Sequence, residues 1–284
     1  MKKSLFYALL FCVLPLCATR RALVIGIGDY PEASGWAKIN GDKDIPLVKQ
    51  MLHTNGFSDG NIAVLKNEQA TYKAICNAFE KLIQESETDD IVYIHFSGHG
   101  QQITDLNGDE PTGMDEAWIP YDAKFCYKKG DYEGDKHLVD DQLNEFLSRI
   151  RRKIGEDGKI VVVADACHSG GGTAAFATQD TTQYIKRGAG DAFVIPDSKI
   201  QYDPRKSNNI DWVFISACKS YQCNYEYKGN GSLTYCILQV ADIMTELSYT
   251  QLQSELKRHI NKIIPYPQTP QVEVPERRNT VPVF

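Results

Sequence analysis

The chain has no CxxC pair, and its eight cysteines fall at irregular spacings. That excludes the common structural zinc sites and a regular disulfide framework. It also lacks a basic excess. The formal net charge is −6 at pH 7, which argues against nucleic acid as a partner, and setting Lys2 and Lys3 aside takes it to about −8. Internal repeats and low-complexity tracts are absent. Gly26-Ile27-Gly28 wants the third glycine of a dinucleotide fingerprint, so no cofactor follows from it. The apolar run Leu5 to Leu16 is too short to span a bilayer comfortably.

That run does have a use. Lys2 and Lys3 precede it and the small residue Ala18 follows, the pattern of a secretory leader. A signal peptide over residues 1–18 and export to the periplasm or the medium are expected, with no transmembrane segment in the mature chain. Cys17 raises the question of a lipid anchor, but Leu16 stands where a small residue is required, so soluble export is favoured. With 42% hydrophobic residues over 284 positions, the chain can bury a substantial core, and residues 19–284 are expected to form one domain and a monomer.

Short β-branched runs at Ala22 to Ile27, Ile62 to Leu65, Ile91 to Phe96, Lys159 to Ala164 and Trp212 to Ser216 read as strands. Between and after them, Asp42 to His53, Thr71 to Gln84, Asp140 to Ile150, Leu233 to Leu247 and Thr250 to Ile264 carry helical patterns. Strands alternating with helices predict an α/β fold with a mostly parallel sheet. Residues at about 171–211 break the alternation. This long polar loop bears Lys186-Arg187, Lys199 and Arg205-Lys206, and is expected to be an exposed surface excursion. Cys76, Cys218 and Cys236 sit in apolar runs and are expected to behave as small buried hydrophobes.

Two strands end in sequences that carry chemistry, Ser97-Gly98-His99-Gly100 and Asp165-Ala166-Cys167-His168-Ser169-Gly170. Ligands of open parallel sheets collect beyond the carboxyl ends of strands, where both His99 and Cys167 fall. A thiol attacks carbonyls as thiolate, so it needs a neighbouring imidazole to take its proton and return it to the leaving amine. Gly98, Gly100 and Gly170 let backbone approach a substrate and aim N–H groups at an oxyanion. Taken singly, a cysteine at a strand end is more often filler and a lone histidine more often structural. Two glycine-flanked strand ends in one chain shift the balance to function. His95 lies on the opposite face from Phe96 and makes no zinc pair with His99, and His168 is expected to point away from Cys167.

These two motifs together resemble the catalytic pair of metacaspases, caspase relatives that cleave after Arg or Lys. The resemblance runs from Arg21-Ala22-Leu23-Val24-Ile25-Gly26 to Gln268-Thr269-Pro270-Gln271. It implies a caspase-like α/β/α sandwich, a His99–Cys167 dyad, and an oxyanion hole from the N–H groups of Gly100 and Cys167. It further implies polypeptide substrates with a basic P1 residue, the side chain entering a pocket of Asp44, Ser97 and Asp165. Carboxylates do pair with Arg or Lys through charge-assisted hydrogen bonds, although Asp44 could serve its own helix and Asp165 a turn.

No cofactor is required by this reading, though the family often holds calcium, and Asp115, Asp140 and Asp141 resemble three of its ligands. Ala174 stands where a further Asp is usual. A separate set, Asp105, Asn107, Asp109 and Glu116, has EF-hand spacing without the central glycine and reads as a solvated acidic turn. A peptidase cutting after basic residues could cut itself at Lys186 or Arg187, where Gly188-Ala189-Gly190 follow. The alternatives are a clostripain- or gingipain-like peptidase of other specificity, and a catalytically silent caspase-like scaffold used for binding.

Overall fold

Strands that are apolar at every position need cover on both faces, and the middle of this fold meets that demand with helices on each side. In this computed structural model, residues 18–167, 184–196, 211–275, 278 and 282–284 are described. The leader run, Cys17, His168 to Gly172, Ala174, Lys199 and Arg205-Lys206 lie outside them.

In chain order the elements are β1 (Arg20–Gly26), α1 (Asp44–Thr54), β2 (Ile62–Lys66), α2 (Tyr72–Glu85), β3 (Ile91–Ser97), β4 (Gly100–Thr104), β5 (Met114–Trp118), β6 (Leu138–Val139), α3 (Asp140–Ile154), β7 (Lys159–Asp165), β8 (Val213–Ser216), β9 (Glu226–Tyr227), β10 (Asn230–Gly231), α4 (Ser232–Gln239), α5 (Tyr249–Ile263) and β11 (Gln271–Glu273). The main sheet has the order β11-β8-β7-β3-β1-β2. Its pairs are parallel except β11 with β8.

Alternate residues of each strand feed two cores. Leu23, Ile25, Val92, Ile94, Val162 and Ala164 pack with Phe79, Phe146 and Leu147 of α2 and α3. Val24, Tyr93, Val161, Val163 and Ile215 pack with Val48, Leu233 and Leu256 of α1, α4 and α5. The result is the α/β/α sandwich that the strand–helix alternation predicts. Cys76, Cys126, Cys218, Cys223 and Cys236 are in no disulfide, with Cys218 and Cys236 buried and Cys76 only partly so.

The helix expected over Leu233 to Leu247 is broken. After Gln239 the chain leaves helical geometry at Val240 (φ −111°, ψ 4°) and continues as a short 3-10 turn at Ala241–Ile243. The Asn55 side chain at the end of α1 donates to the Ala241 carbonyl at 3.2 Å, and that carbonyl also accepts the Met244 N–H in the 3-10 pattern at 3.4 Å. A second sheet, β4-β5-β6, stands beyond the carboxyl end of β3, where the sequence reading had no strands.

Candidate active site

β3 and β7 are adjacent and in register, with Ser97 opposite Asp165. Each strand continues two residues past that pair, to His99 and to Cys167, so the topology brings both to one edge of the sheet. His99 is held on three sides. Its ring stacks on Trp36 at 4.8 Å and lies 5.0 Å from Tyr30, and its backbone N–H donates to Tyr30 Oη at 3.1 Å. Nε2 lies 2.8 Å from the Ala37 carbonyl. A carbonyl only accepts, so Nε2 carries the proton and Nδ1 presents a lone pair. Nδ1 is buried without a hydrogen-bond partner among the described residues. Burial lowers the imidazole pKa to about 4, so His99 is neutral at pH 7.

Cys167 is buried, with Sγ 3.4 Å from the Gln222 carbonyl. Cys223 lies beside it. The contact with Cys167, together with burial, pushes the Cys223 thiol pKa well up.

The long loop departs from expectation in part. Its described stretch is exposed at Ile185, Lys186, Gly190, Asp191, Val194 and Pro196, but it crosses the cleft with Ala189 and Phe193 buried and Arg187 fully buried. The Arg187 carbonyl accepts the Cys167 N–H at 2.7 Å, and its own N–H donates to Asn224 O at 3.1 Å. Lys186 bridges Tyr225 in antiparallel fashion, and Glu226 N donates to Ile185 O at 2.9 Å. On the other side, Ala189 N donates to Gly100 O at 3.2 Å and Phe193 N to Gln102 O at 2.7 Å. A polar loop becomes ordered in this way because its backbone extends existing β structure and its two largest inward side chains, Arg187 and Phe193, find matched pockets. A Cβ at Gly188 would meet Cys167 O and Cβ at 2.5 and 2.7 Å, so only glycine lets this peptide bond lie against the cysteine.

The guanidinium of Arg187 explains the polar residues around it. Nη1 donates to Asp44 Oδ2 and to Ser97 Oγ, both at 2.6 Å, and Nε donates to Glu226 Oε1 at 3.1 Å. Burial opposes its charge, but Asp44, Asp165 and Glu226 outweigh that and hold it protonated. Asp44 is raised by burial, which Arg187 partly offsets.

Asp165 is placed differently from Asp44. Its carboxylate lies 3.6 Å from Nη1 and accepts from Thr234 N (2.7 Å), Thr234 Oγ1 (2.5 Å) and Asn224 Nδ2 (2.7 Å). Much of its bonding capacity is thus spent fixing the start of α4. Glu226, Asn224 and Gly231 were missed by sequence reasoning. They are contributed by β9, β10 and the turn before them, and no local motif marks them. A Cβ at Gly231 would collide with the Asp165 carboxylate and the guanidinium.

The two acidic sets that looked separate in sequence converge. Carboxylate oxygens of Asp105, Asp109 and Asp115 lie within 4.8 Å of one another. Asn107 donates to Asp141, and Asp140 accepts from the Asp141 N–H at 3.0 Å. The Asp105 to Gly113 stretch is the β4–β5 connection, with Asp115 and Glu116 in β5, so the set is no EF-hand, yet neither is it an independent solvated turn. Asp115 is buried, and burial with its acidic neighbours raises its pKa to about 8. Its Oδ1 accepts no hydrogen bond from the described residues.

The family model described as "Caspase domain" matches residues 19–281. "Metacaspase-1" of Schizosaccharomyces pombe is 24% identical over 301 residues, covering 89% of this chain and 66% of that protein. "Metacaspase-1" of Eremothecium gossypii is 30% identical over 159 residues, covering 53% of this chain and 32% of that protein. The matches thus span less than two thirds of these relatives' length. A crystal structure of protein GSU0716 from Geobacter sulfurreducens superposes with a TM-score of 0.63 at 23% identity, covering 94% of this chain and 98% of that one. That likeness concerns the fold alone.

Proposed function

The chain belongs to the caspase-domain family, and from that membership we propose that it is a cysteine endopeptidase cutting polypeptides after basic residues, its own Arg187–Gly188 bond among them. One observation carries the reading. Arg187 fills an acidic pocket while its carbonyl sits on the Cys167 N–H, which is how a P1 residue would be held.

In the reaction, Cys167 Sγ adds to the P1 carbonyl carbon as the thiol proton passes to His99 Nδ1. The oxyanion that forms is met by the Cys167 N–H and, on this proposal, that of Gly100. The C–N bond then breaks as His99 returns the proton to the departing amine, leaving a thioester. Water, deprotonated by His99, adds to the thioester and expels the thiolate, which regains a proton. A neutral His99 suits a base that must first accept one.

We also propose a calcium site at Asp105, Asp109 and Asp115. The all-oxygen donor set fits a hard cation, and the unpartnered buried Oδ1 of Asp115 supports it. When bound, the ion would offset the repulsion of these carboxylates and of Asp140 and Asp141 beside them. Export rests on the leader composition, and a mature protein starting near residue 19 is the expected result of N-terminal sequencing.

The specificity is tested by profiling the purified protein on a peptide library beside Cys167→Ala. Cleavage after Arg or Lys that disappears in the variant is expected. A profile dominated by Asp or Asn at P1, or cleavage retained by Cys167→Ala, would refute the proposal.

A further inference from the structure

Three carboxylates surround Arg187, and they do not meet the same part of it. Asp44 with Ser97 engages Nη1, and Asp165 stands 3.6 Å from that nitrogen. These groups attract any cation that reaches the end of the pocket, ammonium or guanidinium. Nη2 is buried without a hydrogen-bond partner among the described residues, so it carries no preference for arginine there.

The remaining donor is Nε, and it points at Glu226 Oε1 at 3.1 Å. Arginine has an N–H at this place along the side chain, where lysine has a methylene. Glu226 is itself held: Asn40 N donates to Oε1 at 2.7 Å and Asn40 Nδ2 donates to Oε2. It is 3% exposed, so a carboxylate fixed there has little water to turn to when its donor is missing. Its neighbour across the β9–β10 pair is Gly231, whose missing side chain leaves the guanidinium its space.

We infer that Glu226 is the residue by which this pocket selects arginine over lysine at P1. The inference deepens the peptidase reading and rests on Arg187 standing in for a substrate's P1 residue. A purely structural Glu226, there only to brace Asn40, would affect both substrates alike.

Two measurements separate the possibilities. In the first, kcat/KM is measured for a matched pair of fluorogenic peptides differing only in Arg or Lys at P1, on wild type and Glu226→Gln. A wild-type preference for Arg that falls by about tenfold or more in the variant is expected. An unchanged ratio, with both peptides falling together, would overturn the assignment. The second needs no catalysis, since the chain carries its own pocket ligand. In a Cys167→Ala background, melting temperatures are compared for Arg187→Lys, Glu226→Gln and the pair. Arg187→Lys should lower Tm clearly when Glu226 is present and by less than half as much when it is Gln. An equal drop in both backgrounds would overturn the inference. Should Glu226→Gln fail to fold, Glu226→Asp keeps the charge, withdraws it by one methylene and serves the same cycle. A wild type that cleaves neither peptide would sink the peptidase reading, while the melting cycle would still decide whether Glu226 distinguishes the two side chains.

Discussion

At the residue scale, Asp44 and Asp165 share a pocket but not a task. Asp44 bonds the guanidinium directly and its other oxygen accepts from Gly231 N and Asn230 Nδ2. Asp44→Asn should therefore lower kcat/KM for basic substrates by about 2–5 kcal/mol in transition-state binding. Asp165→Asn should instead lower the melting temperature, through loss of the charge-assisted bonds at the start of α4, worth roughly 1–2 kcal/mol. Kinetics and thermal melts on the two variants read the difference. The histidines make a separate prediction. Burial is the leading cause that lowers His95, His99 and His137 from 6.5 to about 4. Between those values the unfolded chain binds more protons than the folded one, so stability rises with pH through the window and is lost on acidification. Each histidine contributes on the order of 3 kcal/mol across it. Urea melts at pH 7, 5.5 and 4.5 should show a steep loss, and His95→Asn should flatten it.

At the element scale, the stretch from Tyr184 to Pro196 acts as a strand laid across the cleft. Its buried arginine neutralises part of a pocket of three carboxylates, so Arg187→Ala in the Cys167→Ala background should cost about 3–5 kcal/mol, measured by denaturant melts. The strands β1, β2, β3, β7 and β8 were legible within a residue or two, because each is a continuous apolar run flanked by polar turns. β4 was not. Gly100-Gln-Gln-Ile-Thr is polar, and its partner strand lies beyond an acidic loop. The 3-10 turn after α4 is met by Asn55, remote in sequence, and no local periodicity reveals the break. Phe193 gave no signal either. Its pocket is made by Tyr127, Tyr132 and His137 from another connection.

At the scale of the whole molecule, the sheet does the positioning: register between β3 and β7 brings His99 and Cys167 to one edge, each two residues past the Ser97–Asp165 pair. Both catalytic candidates and two of the three pocket acids could be read from strand-end motifs and the family resemblance. Glu226 could not, since only the folded chain brings β9 under the pocket. The acidic cluster likewise needed the fold to join residues 105–116 to α3. Adding calcium should raise the melting temperature by several degrees, and Asp115→Asn should abolish the shift. No change on adding calcium or chelator would count against that site. The central claim is that this chain is a peptidase whose first reachable bond is its own. Intact mass spectrometry of the purified wild type beside Cys167→Ala tests it most directly: a break after Arg187 in the wild type that vanishes in the variant is the predicted result, and equal, unbroken masses in both would contradict it.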